Sequence, residues 1–105
     1  MSLEPKQVRH LRALGHHLSP VVHVGNGGVT EGVVGALEQA LLDHELVKIK
    51  VNENAADRRR EVARALAERT GSEEVQVLGR TVLLYRAHPE HPTIVLPKRR
   101  PPREP

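Results

Sequence analysis

Hydrophobic positions along this 105-residue chain change period several times, and each change marks an element. Val8, Leu11, Leu14 and Leu18 recur at spacings of three and four, with Pro5 suited to a first turn. That pattern predicts a helix from Pro5, stopped by Ser19-Pro20. Val21–Val24 reads as a short buried strand. Helical spacing returns with Val33, Val34, Leu37, Ala40 and Leu41, giving a second helix from Thr30 to about Asp43. Gly32 and Gly35 weaken that helix by roughly 1 kcal/mol each, and are read as letting it pack closely on a sheet. Leu46–Val51 alternates as a half-exposed strand: Leu46 or Val47, Ile49 and Val51 face one way, Lys48 and Lys50 the other.

Asn54 or Asp57 can cap a third helix whose stripe is Val62, Ala65 and Leu66, and Gly71 suits its left-handed terminus. Val75–Leu78 and Thr81–Arg86 flank Gly79-Arg80, where glycine at the first central position signals a type II′ hairpin. The resulting order is αβαβαββ. Six of the eight prolines fall in residues 87–105, so beyond Ala87 only Thr93–Leu96 is expected to pair with anything. These signals predict one domain over residues 1–96 and a basic, Pro-rich disordered tail over 97–105.

Composition narrows the chemistry. Cysteine is absent, which removes disulfides, thiolate catalysis and cysteine-ligated metal. No apolar run exceeds about five residues, too short to span a membrane, and MSLEPKQVRH lacks the apolar core of a signal peptide, so a cytoplasmic protein is expected. The net charge of +3 resides in the tail, where Lys98, Arg99, Arg100 and Arg103 outnumber Glu104. The rest is neutral but segregated. Residues 31–45 carry Glu31, Glu38, Asp43 and Glu45 with no Lys or Arg, while Lys6, Arg9, Arg12, Lys48, Lys50 and Arg58-Arg59-Arg60 lie elsewhere.

The most informative stretch is VVHVGNGGVTEGVVG, residues 21–35, in which a strand runs through Gly25-Asn26-Gly27-Gly28 into a helix capped at Thr30. Glycine backbone admits close approach, and the helix aims free N–H groups and its positive dipole end at whatever lies against the loop. The natural ligand of that corner is a phosphate. A dinucleotide fold would need glycine where Thr30 stands, and a P-loop would need a Lys-Ser/Thr pair after the glycines. His16-His17 and His88-x-x-His91 lack a third ligand at metal-binding spacing and read as surface or locally bonded histidines. No nucleophile arrangement is visible around Ser2, Ser19 or Ser72. Tyr85 is the only aromatic, so base-stacking platforms are excluded, whereas a GxxG loop that grips sugar–phosphate needs no rings.

The runs LSPVVHVGNGGVTEGVVGALEQALLDHELVKIKV and ERTGSEEVQVLGRTVLLYR closely resemble the CRM domain (chloroplast RNA splicing and ribosome maturation) in its stand-alone bacterial YhbY-like form. The resemblance covers about Lys6 to Leu96 and rests on GxxG, TEG, the EL-K-K strand, a TG turn and the GRTVLLYR hairpin in order. It implies a compact two-layer α/β domain with a mixed four-stranded sheet, similar to the C-terminal domain of bacterial translation initiation factor three. It further implies a non-enzymatic protein that contacts ribosomal RNA of precursor large ribosomal subunits. No cofactor, metal, membrane or small-molecule substrate is expected, and a monomer is.

Carried onto this chain, Gly25, Asn26, Gly27 and Gly28 form the GxxG loop, Thr30 opens the following helix, and Lys48 and Lys50 occupy the basic positions of the second strand. Charge placement adds Arg9 and Arg12 on the first helix. The loop holds no Lys or Arg and is followed by Glu31, so backbone amides must supply most of its contact. The alternative reading is a protein-interaction module docking through the acidic face of residues 31–45.

Overall fold

A computed structural model describes residues 3–53 and 58–98. Three helices, α1 (Pro5–Gly15), α2 (Glu31–His44) and α3 (Arg59–Thr70), accompany four strands, β1 (Val22–Val24), β2 (Leu46–Val51), β3 (Glu73–Leu78) and β4 (Thr81–Tyr85). The strands form one mixed sheet in the order β1-β2-β4-β3. Only the β1–β2 pair, joined through α2, is parallel. The caps expected for α3, Asn54 or Asp57, lie outside the described residues.

The sheet separates two cores. Val47, Ile49 and Val51 of β2 pack with Val22, Val24, Val82 and Leu84 beneath α2 and α3, which contribute Leu37, Leu41, Ala63 and Leu66. Leu46, Leu83, Tyr85 and Val75 face the other way, against Leu11 of α1. The alternation of β2 thus assigns Val47 to the larger core and Leu46 to the smaller one. Each side chain fully buried in this way contributes about 1.5–3 kcal/mol. Two layers describe the α2/α3 side, and α1 with the C-terminal segment adds a partial third on the opposite face. Val75 reaches the smaller core although Val77 serves the larger, because the register slips between Glu74 and Gln76. A bulge re-aims one side chain there.

Helix α1 ends earlier than its apolar stripe suggests. Its last residue, Gly15, is buried, and a Cβ built on it would overlap Leu83 Cδ2 and lie 2.9 Å from Leu83 Cδ1. The chain then tightens, with Leu18 N–H donating to the Gly15 carbonyl at 3.0 Å, so Leu18 leaves the helix and remains exposed. Gly32 and Gly35 behave oppositely to expectation. Both are exposed, and no atom of the sheet lies within 4 Å of a Cβ built at either, so close packing does not account for them. Gly71 (φ 65°) ends α3 in the left-handed region, and Gly79 (φ 58°) opens the β3–β4 turn, as expected of each.

Glu45 joins α2 to β2 at φ 64°, the one positive φ of a non-glycine residue among the described residues. That conformation costs about 1–3 kcal/mol. The carboxylate is buried, with the residue 2% exposed, and it accepts hydrogen bonds from the N–H groups of His88 (2.7 Å), Thr93 (2.9 Å) and Ile94 (2.8 Å) and from Thr93 Oγ1 (2.6 Å). Residues 87–98 are therefore held as a strap without regular secondary structure. Ile94 and Leu96 pack against the smaller core, and the Pro97 carbonyl accepts from Gln7 Nε2 at 3.0 Å. Pairing beyond Ala87 is thus wider than the expected Thr93–Leu96 and begins at His88. Residues 99–105, most of the expected tail, lie outside the described residues.

Two stability predictions arise from this packing. Gly15→Val should destabilise by about 1–3 kcal/mol through overpacking against Leu83, whereas Gly35→Ala should stabilise by about 0.5–1 kcal/mol. Denaturant melts of the two variants should move in opposite directions.

Burial raises the pKa of Glu45, but the donors from His88, Thr93 and Ile94 outweigh it and hold the carboxyl at about 2, below its ordinary 4.5. A lowered carboxyl pKa confers stability that is complete above the unfolded-state value and lost as pH falls through the folded-state value. Wild type should therefore lose at most about 3 kcal/mol between pH 5 and pH 2 through this group. Glu45→Gln should be less stable at neutral pH, with a shallower loss across that window in urea titrations.

Candidate functional site

The loop after β1 is built as a turn on a cap. Val24 closes its strand by accepting from Asn52 N–H at 2.7 Å, and Gly28 N–H donates back to the Gly25 carbonyl at 3.0 Å. Gly28 adopts φ 71°, a conformation that favours glycine. Gly25 differs: its φ is not in the left-handed region, and a Cβ built on it would meet no atom within 4 Å. Neither conformation nor packing inside the molecule calls for glycine at that position.

Thr30 then caps α2, its Oγ1 accepting from Val33 N–H at 3.2 Å and its carbonyl from Val34 N–H at 3.0 Å. Helix geometry leaves the Glu31 and Gly32 N–H groups without an intrahelical acceptor. The Glu31 carboxylate is engaged by Arg69 Nη2 at 2.6 Å, which offsets its negative charge at this helix end.

Packing of α2 beside α3 sets the loop against a second helix start. Asn26, Gly27, Gly28 and Val29 share a depression of about 380 Å³ with Arg58, Glu61, Val62 and Ala65. Arg58 thus supplies beside the loop the cation that the loop sequence lacks. Sequence reasoning noted the Arg58-Arg59-Arg60 run without assigning it to the site; the available signal was its position just ahead of the Val62 stripe.

Strand register gathers the other basic positions. Lys50 is opposite His23 on one side and Thr81 on the other, and Lys48 is opposite Leu83, so Lys48, Lys50 and His23 share the α1 face of the sheet. His23 stands two residues before Gly25, which carries this stripe to the loop. Neither lysine has an ion-pair partner among the described residues. Arg9 is placed apart, sharing a depression with Glu4, Pro5 and Lys6 at the first turn of α1, and Arg12 is exposed on the same helix.

The acidic face is weaker than its sequence. Glu45 is buried under the strap and does not belong to it. Glu31 pairs with Arg69, Glu38 Oε2 accepts from Arg86 Nη1 at 3.0 Å, and Asp43 accepts from Gln39 Nε2 at 3.0 Å. Among the described residues no group of three His, Asp or Glu side chains is placed to hold a metal ion. His88 is locally bonded, its Nδ1 accepting the Glu90 and His91 amides. No helix among the described residues is long and apolar enough to cross a membrane.

The pattern of the CRS1 / YhbY (CRM) domain matches residues 3–86, four-fifths of the chain. This chain belongs to the CRM domain family. It is 41% identical over 90 residues to a probable RNA-binding protein of Pseudomonas aeruginosa, covering 86% of each chain. The RNA-binding protein of Haemophilus influenzae is 39% identical over 98 residues, covering 93% of this chain and 98% of that one. The solution structure of a Staphylococcus aureus protein described as a candidate RNA-binding protein superposes with a TM-score of 0.79 at 38% identity, over 91% of this chain and all of that one. The matched CRM domain ends at Arg86, whose N–H donates to the Glu45 carbonyl and whose guanidinium also reaches the Thr70 carbonyl at 2.6 Å. Past that boundary, residues 87–98 are fastened to the domain by the buried Glu45 carboxylate, by the Gln7–Pro97 hydrogen bond and by packing of Ile94 and Leu96.

Proposed function

We propose that this CRM domain is a non-enzymatic RNA-binding protein that grips ribosomal RNA by its backbone and assists assembly of the large ribosomal subunit in the cytoplasm, acting as a monomer without cofactor. Gly25 carries this reading. A glycine that answers to no intramolecular need leaves bare backbone for a partner to approach, beside helix-end amides and Arg58. The contact set is Gly25, Asn26, Gly27, Gly28 and Thr30 at the loop, with Lys48 and Lys50 along the sheet, Arg9 and Arg12 on α1, and Arg58 as an addition. The RNA-binding relatives support the class of ligand. Docking of a basic protein on residues 31–45 is less favoured, since two of its glutamates already pair with arginines and a third is buried.

Backbone contacts predict strong salt dependence and little sequence preference. About three to five neutralised phosphates give a log–log salt slope of roughly −2 to −4.5. Filter binding with structured ribosomal RNA across a salt series checks this, and a flat series is incompatible with a backbone grip.

Loop variants separate the site from the turn. Gly25→Ala should leave melting unchanged to within about 0.5 kcal/mol while weakening RNA binding. The double variant N26D/G27D places two negative charges at the proposed phosphate site and should lose at least about tenfold in affinity at low salt while still folded. Parent-like affinity in both folded variants would remove the loop from the interface. Crosslinking in cells with mapping of the bound RNA tests the assembly role, for which a discrete ribosomal RNA patch is expected.

A further inference from the structure

At the opposite end of β1 from the loop, the exit of α1 and the starts of β1 and β2 enclose a groove of about 440 Å³. Its walls are aliphatic, from Leu14, Leu18, Val21 and Ile94, with Ser19 and Lys48 among the polar lining. Leu14, Leu18 and Val21 are 40%, 38% and 54% exposed, so a continuous apolar surface is left open to water. Ile94 is held in place by its N–H bond to Glu45, which makes that wall a fixed part of the fold.

We propose that this groove receives one unstacked base of a bound RNA, with Lys48 on a flanking phosphate; the proposal rests on the RNA-binding reading above. Charge favours an anionic occupant. Lys48 lies in the groove, Lys50 and His23 continue along the same sheet face toward the loop, and β1 and β2 place no carboxylate on that face. His44 is also at the groove, and its neighbour Asp43 is engaged by Gln39.

The aliphatic character fits the composition. Tyr85, the only Phe, Trp or Tyr residue, is 6% exposed and packs in the smaller core, so a splayed base would lie mainly against Leu and Val carbons, with His44 the one ring in the lining. Reach is adequate: Val21 and Gly25 are four residues apart along extended chain, about 13 Å at 3.3 Å per residue, and GxxG loops clamp about four nucleotides. One RNA strand can therefore engage both ends of β1.

Two hairpins with the same stem, one fully paired and one with a single unpaired adenine, test this by fluorescence anisotropy at low salt. The full-length protein should prefer the bulged hairpin by about tenfold. The variant L14Q/V21Q, altered at two partly exposed positions and checked for folding by circular dichroism, should bind both hairpins with the parent's affinity for the paired one. Equal binding of the two hairpins by the parent, or a preference retained in the folded variant, overturns the proposal and leaves the groove to a protein partner. Loss of binding to both hairpins by the parent would instead overturn the RNA reading itself, and this proposal with it.

Discussion

The carboxylate of Glu45 is where three parts of the chain meet. Its backbone ends α2 and turns, at φ 64°, directly into β2, the strand that feeds both cores. Its side chain collects three amides and a hydroxyl from residues 88–94. A left-handed turn would ordinarily favour glycine, yet glycine could not hold the strap. The backbone cost of about 1–3 kcal/mol is offset because a buried carboxylate with four donors is stabilised in its charged form. Removing the acceptor would leave those donors to find water at the edge of the smaller core, loosening Ile94 and Leu96 together.

Much of this fold is legible in local pattern. The clean alternation of Leu46–Val51 gives β2 with its observed bounds, Thr30 caps α2 as read, and Gly71 and Gly79 take the left-handed conformations assigned to them. What local pattern hides is which face each element serves. Leu14 and Leu18 look like helical core positions, yet both are exposed, while α1 buries Leu11 and Gly15, the latter against Leu83, 68 positions away in sequence. Val75 and Val77 read as one strand face until the bulge divides them. Glu45 reads as one acid among several, because burial of a charge depends on donors more than forty residues later.

The candidate site divides in the same way. The glycine loop and its capped helix are sequence-local and were readable as a phosphate-competent corner. Arg58 was not, since its place beside the loop follows from the packing of α2 on α3 and not from spacing. The five glycines of the loop and of early α2 also carry different meanings. Gly28 answers to its positive φ, a Cβ on Gly27 or Gly32 would meet only the Thr30 side chain, at 3.4 and 3.8 Å, and one on Gly25 or Gly35 would meet nothing within 4 Å. For Gly32 and Gly35 that observation removes close helix–sheet packing as an explanation. For Gly25, on exposed backbone beside a helix start, it turns attention outward.

Neutrality of the first 96 residues conceals an organised surface. Glu31, Glu38 and Glu53 each face an arginine, Glu45 is buried, and Lys48 and Lys50 are left without ion-pair partners among the described residues. Exposed pairs of this kind add little stability, about 0–1 kcal/mol each, so their larger effect is on the field: acids are cancelled where they stand while the sheet face of β1 and β2 keeps its positive charge. With Tyr85 committed to a core, such a surface has charge and bare backbone to offer and no aromatic platform. Such a surface suits the proposed grip on RNA, through phosphates and shape, and leaves aliphatic carbon around Leu14 and Val21 open beside a lysine.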